Sequence, residues 1–439
     1  MSAAVETLDR LRAGIAPIGP AWLVRQREEA WSAFVEAGLP TRRLEAWKST
    51  NLAPLAALDF ARITTASSIA PGIGSGAKTA TAIPGVRIDR LAGVLQREPE
   101  RLAGRLGRLA DPKRGALVAL STALLEDGVV IELAPGARCE APIRIRFAVP
   151  PAADGSASAS FPRLLVLAGE DSAATLFVEF DSPADAAGFT DHVAELVLAP
   201  RARVALVQLQ AESAPRVHFS SLHAEIDRSA RLDSHVFTLA DGLVRSELDL
   251  RLIAPGAEAT LDGFFLVRGA GHADHFTTVE HAAPHCTSSQ EYRGVMGDRG
   301  KGVFRGRVVV RPDAQKTNAS QSNPNLLLSE QAAIDTRPQL EIYADDVRAS
   351  HGSTIGQLDA DALFFLRARG IGAAEARVLL TRAFARTIVD GVGDPELRAE
   401  VGHRIDRALA ALEPTLAADR ADGDDDHDAS EGPPAGDRA

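Results

Sequence analysis

Six stretches in the middle of the chain share a signature: a short apolar run, a turn of small and polar residues, and an alanine. They read LAPGARCE, AGEDSAATL, LAPRARVAL, IDRSARLD, IAPGAEATL and VRPDAQKT. Marked by Ala137, Ala173, Ala202, Ala230, Ala257 and Ala314, they stand 36, 29, 28, 27 and 57 residues apart. The last gap is close to twice the others, so one more repeat is expected near residue 285, where APHCTSSQ sits. A period in the high twenties with no helical segment inside it makes each unit two or three short strands with turns. Such a unit cannot bury its own apolar face; stacking units does, which gives a parallel β-solenoid. A β-sandwich also has short strands and frequent turns, but the regular period favours the solenoid from about Asp127 to Asp359.

The rest of the chain fits a β body with helical additions. Residues 1–37 read as two helices. In the second, Trp31, Phe34 and Val35 form one apolar face, Gly38 stands as a C-terminal stop and Pro40 blocks continuation. Past Asp359 the period becomes helical. Leu380, Phe384 and Ile388 are four apart, and Gly391 can end that helix. Asp394, Pro395 and Glu396 make a good helix start, followed by a stripe of Leu397, Val401, Ile405, Leu409 and Leu412. A helical cap here is expected to cover the open end of the solenoid. The expected divisions are 1–115 (helical, then poorly patterned), 116–358 (solenoid), 359–415 (helical) and a disordered acidic tail, 416–439.

Charge and cysteine usage exclude several classes. The formal net charge is -11, and about half of the excess lies from Asp419 onward, where eight acids meet two basic residues. Nothing resembles the basic footprint of a nucleic-acid binder. No run has the apolar length needed to cross a bilayer. Two cysteines, Cys139 and Cys286, make no disulfide framework, which suits a reducing cytoplasm.

The stretch Gln339 to Gln357, QLEIYADDVRASHGSTIGQ, reads as strand. Its period of two puts Val347, Ala349 and His351 on one face, with Arg348 and Ser350 on the other. Gly352 is read as leaving room beside the imidazole. His351 thus sits where sheet gives way to helix, a place open to partners, although a lone imidazole on a strand is usually a hydrogen-bonded structural residue. Asp345 and Asp346 are consecutive, so an extended chain points them to opposite sides, unlike a glycosidase pair.

His272, His275, His281, His285 and Cys286 are the densest set of potential metal ligands, but their spacing fits no standard zinc pattern. Cys286 is the better single candidate, since a thiol beside an imidazole is thiolate-prone. GIGSGA, Gly72 to Ala77, lacks GK[ST] and reads as a loop. The crowded GLPTRRLEAWKSTNL reads as a solvated turn anchored by Trp47. There is no GxSxG, HExxH, Walker A or CxxC motif, and the residues show no enzyme.

EIYADDVRASHGSTIGQLD, with NPNLLLSEQAAIDTRPQ before it and FFLRARGI after it, resembles the SufB/SufD family of iron–sulfur cluster assembly scaffolds. GLPTRRLEAWKST, HCTSSQ and the chain length are nearer the SufD branch. The resemblance runs from Gly38 to about Leu412 and is most specific at residues 323–371. It implies a right-handed parallel β-helix flanked by helices, and a non-catalytic subunit that joins a SufB-like paralogue and a SufC-like ATPase. It also implies that His351 lies at the interface between paralogues, and that the helices carrying Leu380, Phe384 and Ile388 dock the ATPase. Many family members have cysteine where this chain has Ala349, so a Cys/His pair is absent. A cluster normally needs several thiolates, so this chain is expected to bind none stably alone; a transient cluster at a shared interface would take His351 as one ligand, with Cys286 as a possible additional thiol. Two other readings are a SufB-like homodimer, against which Ala349 speaks, and a polysaccharide-acting β-helix enzyme, for which clustered acids are missing.

Overall fold

A computed structural model describes residues 3–15, 19–58, 60–63, 72–73, 83–149, 157–183, 186–212 and 214–412. The acidic tail 416–439 and residues 74–77 of the glycine-rich stretch lie outside the described residues. The body is a parallel β-solenoid of about 7 turns. Each turn places one strand in each of two sheets. The first sheet runs through Gly128–Leu133, Arg163–Ala168, Gly188–Leu198, Arg216–Ile226, Leu243–Leu252, His272–His281, Lys301–Val310 and Ala333–Ile342. The second runs through Ile143–Ala148, Ala173–Asp181, Arg203–Ala211, Arg231–Ala240, Glu258–Val267, Thr287–Met296, Asn318–Leu327 and Arg348–Gly356. Every neighbouring pair within these two series is parallel, which rules out the sandwich.

One corner of the coil explains the repeat. A residue with positive φ precedes a small residue ahead of every second-sheet strand but the last. Gly136, Asp171, Arg201, Ser229, Gly256, His285 and Lys316 hold the positive φ. Ala137, Ser172, Ala202, Ala230, Ala257, Cys286 and Thr317 follow them, all buried. The left-handed residue turns the chain, and its amide bonds to the next coil, as from Arg201 N to Arg228 O at 2.9 Å and from His285 N to Gln315 O at 2.9 Å. The missing repeat is therefore present at His285–Cys286. The alanines at 173 and 314 are one residue after and three residues before the true ladder positions, Ser172 and Thr317.

The two ends of the stack differ. At the N-terminal end, Val86–Arg90 pairs antiparallel with Gly128–Leu133, and Gly72–Ile73 pairs antiparallel with the Ile143–Ala148 strand. Each of these added strands is itself the outermost of its sheet among the described residues. At the C-terminal end, Ala333–Ile342 and Arg348–Gly356 each have one sheet neighbour among the described residues.

Helices cover the flanks. Ala3–Ala13 and Ala21–Ala37 bring Leu8, Leu11, Trp31 and Phe34 onto Phe189, Val217, Phe219 and Leu243 of the first sheet. Gly38, at φ 65, ends the second helix and donates to Phe34 O. Val35, read as part of the buried face, is 40% exposed instead. Ala360–Arg367, Ala373–Val389 and Pro395–Ala410 follow the solenoid. Asp394 caps the last of these, its side chain accepting from Leu397 N at 2.9 Å, and Leu397, Val401, Ile405, Leu409 and Leu412 are all buried. The last two helices pack on Val207, Phe237, Phe264 and Val295 along the outer face of the second sheet. Arg144–Glu400, at 2.8 Å, and Arg404–Glu179 tie the final helix to early coils. The chain thus doubles back along the flank, and the expected helical cap over the open end is not formed. Among the described residues no helix is long and apolar enough to cross a membrane.

Candidate functional site: the open end of the solenoid

The stretch 339–357 is the end of one strand and the whole of the next, with a corner at 343–347, rather than one continuous strand. Arg348–Gly356 pairs only with Asn318–Leu327, in the register Ala319↔Ala349, Gln321↔His351 and Asn323↔Ser353. Ala319, Gln321 and Asn323 are buried, whereas Asn318, Ser320 and Ser322 are exposed. Ala349 and His351 therefore lie on the inward face, as their alternation predicts. Because no further coil stacks on them, His351 is exposed. Gly352 faces the other way, and a Cβ added there meets nothing within 4 Å. Its role is not to make room for the imidazole.

Large apolar side chains are exposed on the last coil and on the helix that follows it. Ile342 (41% exposed), Tyr343 (59%) and Ile355 (51%) belong to the last coil, and Phe364 (74%) and Phe365 (54%) to the helix after it. Ile342, Tyr343 and Ile355 fall in the stretch read as strand and Phe364 and Phe365 in FFLRARGI, but the expected helical cap gave no reason to read them as exposed. An unpaired pair of strand edges is a template for another chain.

The other candidates are elsewhere. His272 Nε2 lies 3.0 Å from Thr50 Oγ1. His275 is buried against Phe265 and Tyr292, and burial pulls it down to about 4. His281 Nε2 lies 2.8 Å from Ser288 Oγ, and burial likewise holds it at about 4. His285 occupies a corner. Among the described residues no group of three or more His, Cys, Asp or Glu is arranged to hold a metal ion. The expectation of a thiolate-prone Cys286 fails: its Sγ donates to Ala254 O at 3.3 Å, and burial pushes the thiol up. Cys139 is also buried and pushed up. Leu380 and Phe384 are half-buried, Phe384 beneath the Arg293 guanidinium at 4.9 Å, but Ile388 is sealed against the second sheet and is not free to dock anything.

Two family models match the chain, one described as the SufBD core domain of the SUF system for FeS cluster assembly, over residues 152–384, and one as the SufBD protein N-terminal region, over 74–145. The core match alone spans more than half of the chain. The chain belongs to the SufBD family. It is 28% identical to the iron–sulfur cluster assembly protein SufD of Escherichia coli over 394 residues, 88% of this chain and 92% of that protein. It is also 28% identical to a SufBD family iron–sulfur cluster assembly protein of Synechocystis, over 84% of this chain and 87% of the relative. SufD of Bacillus subtilis is 25% identical over 62% of each. The chain is a SufD homologue whose SufBD core match contains the whole open end, including His351, Phe364 and Phe365.

The SufBD protein also fixes its N-terminal segment in a way its sequence pattern did not suggest. Trp47 is buried, with the Arg245 guanidinium 3.9 Å from its ring and Phe219 stacked at 6.2 Å. Arg245 is held by Glu247 and Asp274, Thr50 donates to Asp274, and Arg305 donates to Glu45 O. The segment read as a solvated turn is a plug on the outer face of the first sheet.

Proposed function

We propose that this chain is a non-catalytic scaffold subunit of a complex that builds nascent iron–sulfur clusters. It pairs through the open solenoid end with a SufB-type paralogue and docks a SufC-type ATPase through its C-terminal helices. The observation that carries this reading is the end itself: two strands of the last coil that each have one sheet neighbour among the described residues, exposed apolar side chains, and an exposed imidazole on the inward face. The cluster is cargo. Both thiols are buried, so the chain offers no accessible thiolate and the sulfur ligands belong to the partner. His351 supplies one nitrogen to iron, as imidazole does in Rieske-type centres, or handles a proton there.

The ATPase is assigned to the exposed Phe364 and Phe365 together with the half-buried Leu380 and Phe384. Removing the helices after Asp359 is a poor probe, since it would uncover Val207, Phe237, Phe264 and Val295. Substitution of exposed residues is cleaner. With the paralogue and ATPase coexpressed, native mass measurement is expected to show the paralogue lost in Ile355→Asp, and the ATPase lost in Phe364→Ser/Phe365→Ser. Undiminished assembly in both variants contradicts the reading, and a homodimer of this chain in their place supports self-pairing at the same edge.

A further inference from the structure

The inward row of the second sheet changes character as it approaches the open end. In consecutive coils it reads Leu206, Ser234, Leu261, Gln290, Gln321, His351. Leu206 and Leu261 are buried among aliphatic neighbours. The last two coils before His351 place amides in the lumen instead, where a buried polar group is costly unless bonded.

The hydrogen bonds in this row have a direction. Thr277 Oγ1 donates to Gln290 Oε1 at 2.7 Å, and Gln321 Nε2 donates to the same oxygen at 3.4 Å. That leaves two buried amide atoms of the file without a hydrogen-bond partner, Gln290 Nε2 and Gln321 Oε1, of which Gln321 Oε1 belongs to the coil next to His351 and is not bonded to it in the structure. The side chain is 3% exposed. Across the lumen Gly306 accommodates it: a Cβ there would stand 1.9 Å from Gln321 Nε2. The glycine thus makes space for the amide group at the position from which it reaches Gln290. The unsatisfied oxygen belongs to the residue that pairs in register with His351, on the same face and in the adjacent coil.

We propose that Gln321 is the positioning residue for His351: its Oε1 accepts the N–H of the neutral imidazole and so fixes which ring nitrogen keeps a lone pair for the cargo. A neutral imidazole has one N–H and one bare nitrogen, and an acceptor on one side selects the tautomer. Metal-binding histidines are commonly oriented in this way by an outer partner. The assignment rests on the reading of His351 given under Proposed function, but it concerns the ring before any cluster is present.

The test uses the full-length chain without cluster, labelled with nitrogen-15 at histidine, with His351 assigned by the resonance lost in His351→Asn. The two ring-nitrogen shifts report the tautomer ratio directly. Gln321→Met, close in shape but without the acceptor, is expected to change that ratio by about fivefold, the equivalent of about 1 kcal/mol for one neutral hydrogen bond. Gln321→Glu keeps an acceptor and is expected to preserve the wild-type tautomer. Should Gln321→Met not fold, Gln290→Met frees the amide to turn and is expected to change the ratio in the same sense. An unchanged ratio in whichever variant folds overturns the proposal. If the ratio responds but His351→Ala still builds clusters at the normal rate, the positioning stands and the cluster reading fails; the converse pair of results separates them the other way.

Discussion

At position 286 a cysteine fills the slot that alanine fills at 202, 230 and 257. Its setting makes it a small apolar residue rather than a reagent. Cys286→Ala is expected to cost no more than about 1 kcal/mol in unfolding free energy, since the other coils already accept the smaller side chain. A thiol-specific reagent is expected to leave the native protein unmodified and to react fully after denaturation; rapid native labelling would show the corner to be open. His275 gives a pH signature. Burial holds it at about 4 against an ordinary 6.5. The unfolded chain therefore takes up a proton below about 6.5 while the folded chain does not, so the stability carried by the neutral ring is complete above that pH and drains as pH falls toward about 4. The stability difference between wild type and His275→Gln is expected to shrink by about 2 kcal/mol between roughly pH 7.5 and pH 5. A difference constant with pH would mean the ring is protonated or solvated when folded. Residue spacing already set the histidines apart from a zinc pattern, but it gave Cys286 a thiolate-prone setting, because the burial that lowers His275 and raises Cys286 comes from neighbours distant in sequence.

The strands and helices were more legible than the residues within them. Caps and stripes around Asp394 and Leu397 are local signals and fold as their spacing says. The repeat was legible as well, though marked by alanines when the physical constant is the left-handed residue followed by a buried small one. Asp171, Arg201, Ser229, His285 and Lys316 carry positive φ without being glycine, so composition hides the turn. The corner at 343–347 was missed for a related reason: ADDV contains neither Gly nor Pro, and the alternation continues across it. The plug at residues 45–50 could not be read locally at all, since its partners Arg245, Asp274 and Arg305 lie some two hundred residues away or more. Trp47→Ala is expected to destabilise the protein by roughly 3–5 kcal/mol, as for other buried aromatic truncations, and to increase proteolysis in the Gly38–Leu52 segment. Unaltered stability and protease resistance would show that the polar contacts alone hold the segment.

On the scale of the whole molecule the decisive feature is asymmetry. Antiparallel strands add to the first coil, two helical layers seal the flanks, and among the described residues the last coil has free edges and an exposed, inward-facing His351. Natural sheets blunt their edges unless something pairs with them, so the uncovered end is where a partner and its cargo belong. The direct measurement is cluster accumulation, followed by visible absorbance during anaerobic reconstitution of the copurified complex, with wild type against His351→Ala. The variant is expected to assemble with unchanged native mass yet accumulate cluster at least about tenfold more slowly, since loss of even an outer partner of a metal ligand has effects of that size. His351→Cys is expected to recover part of the rate through a softer ligand. Accumulation at the wild-type rate in a fully assembled His351→Ala complex would contradict the account and place every ligand in the partner.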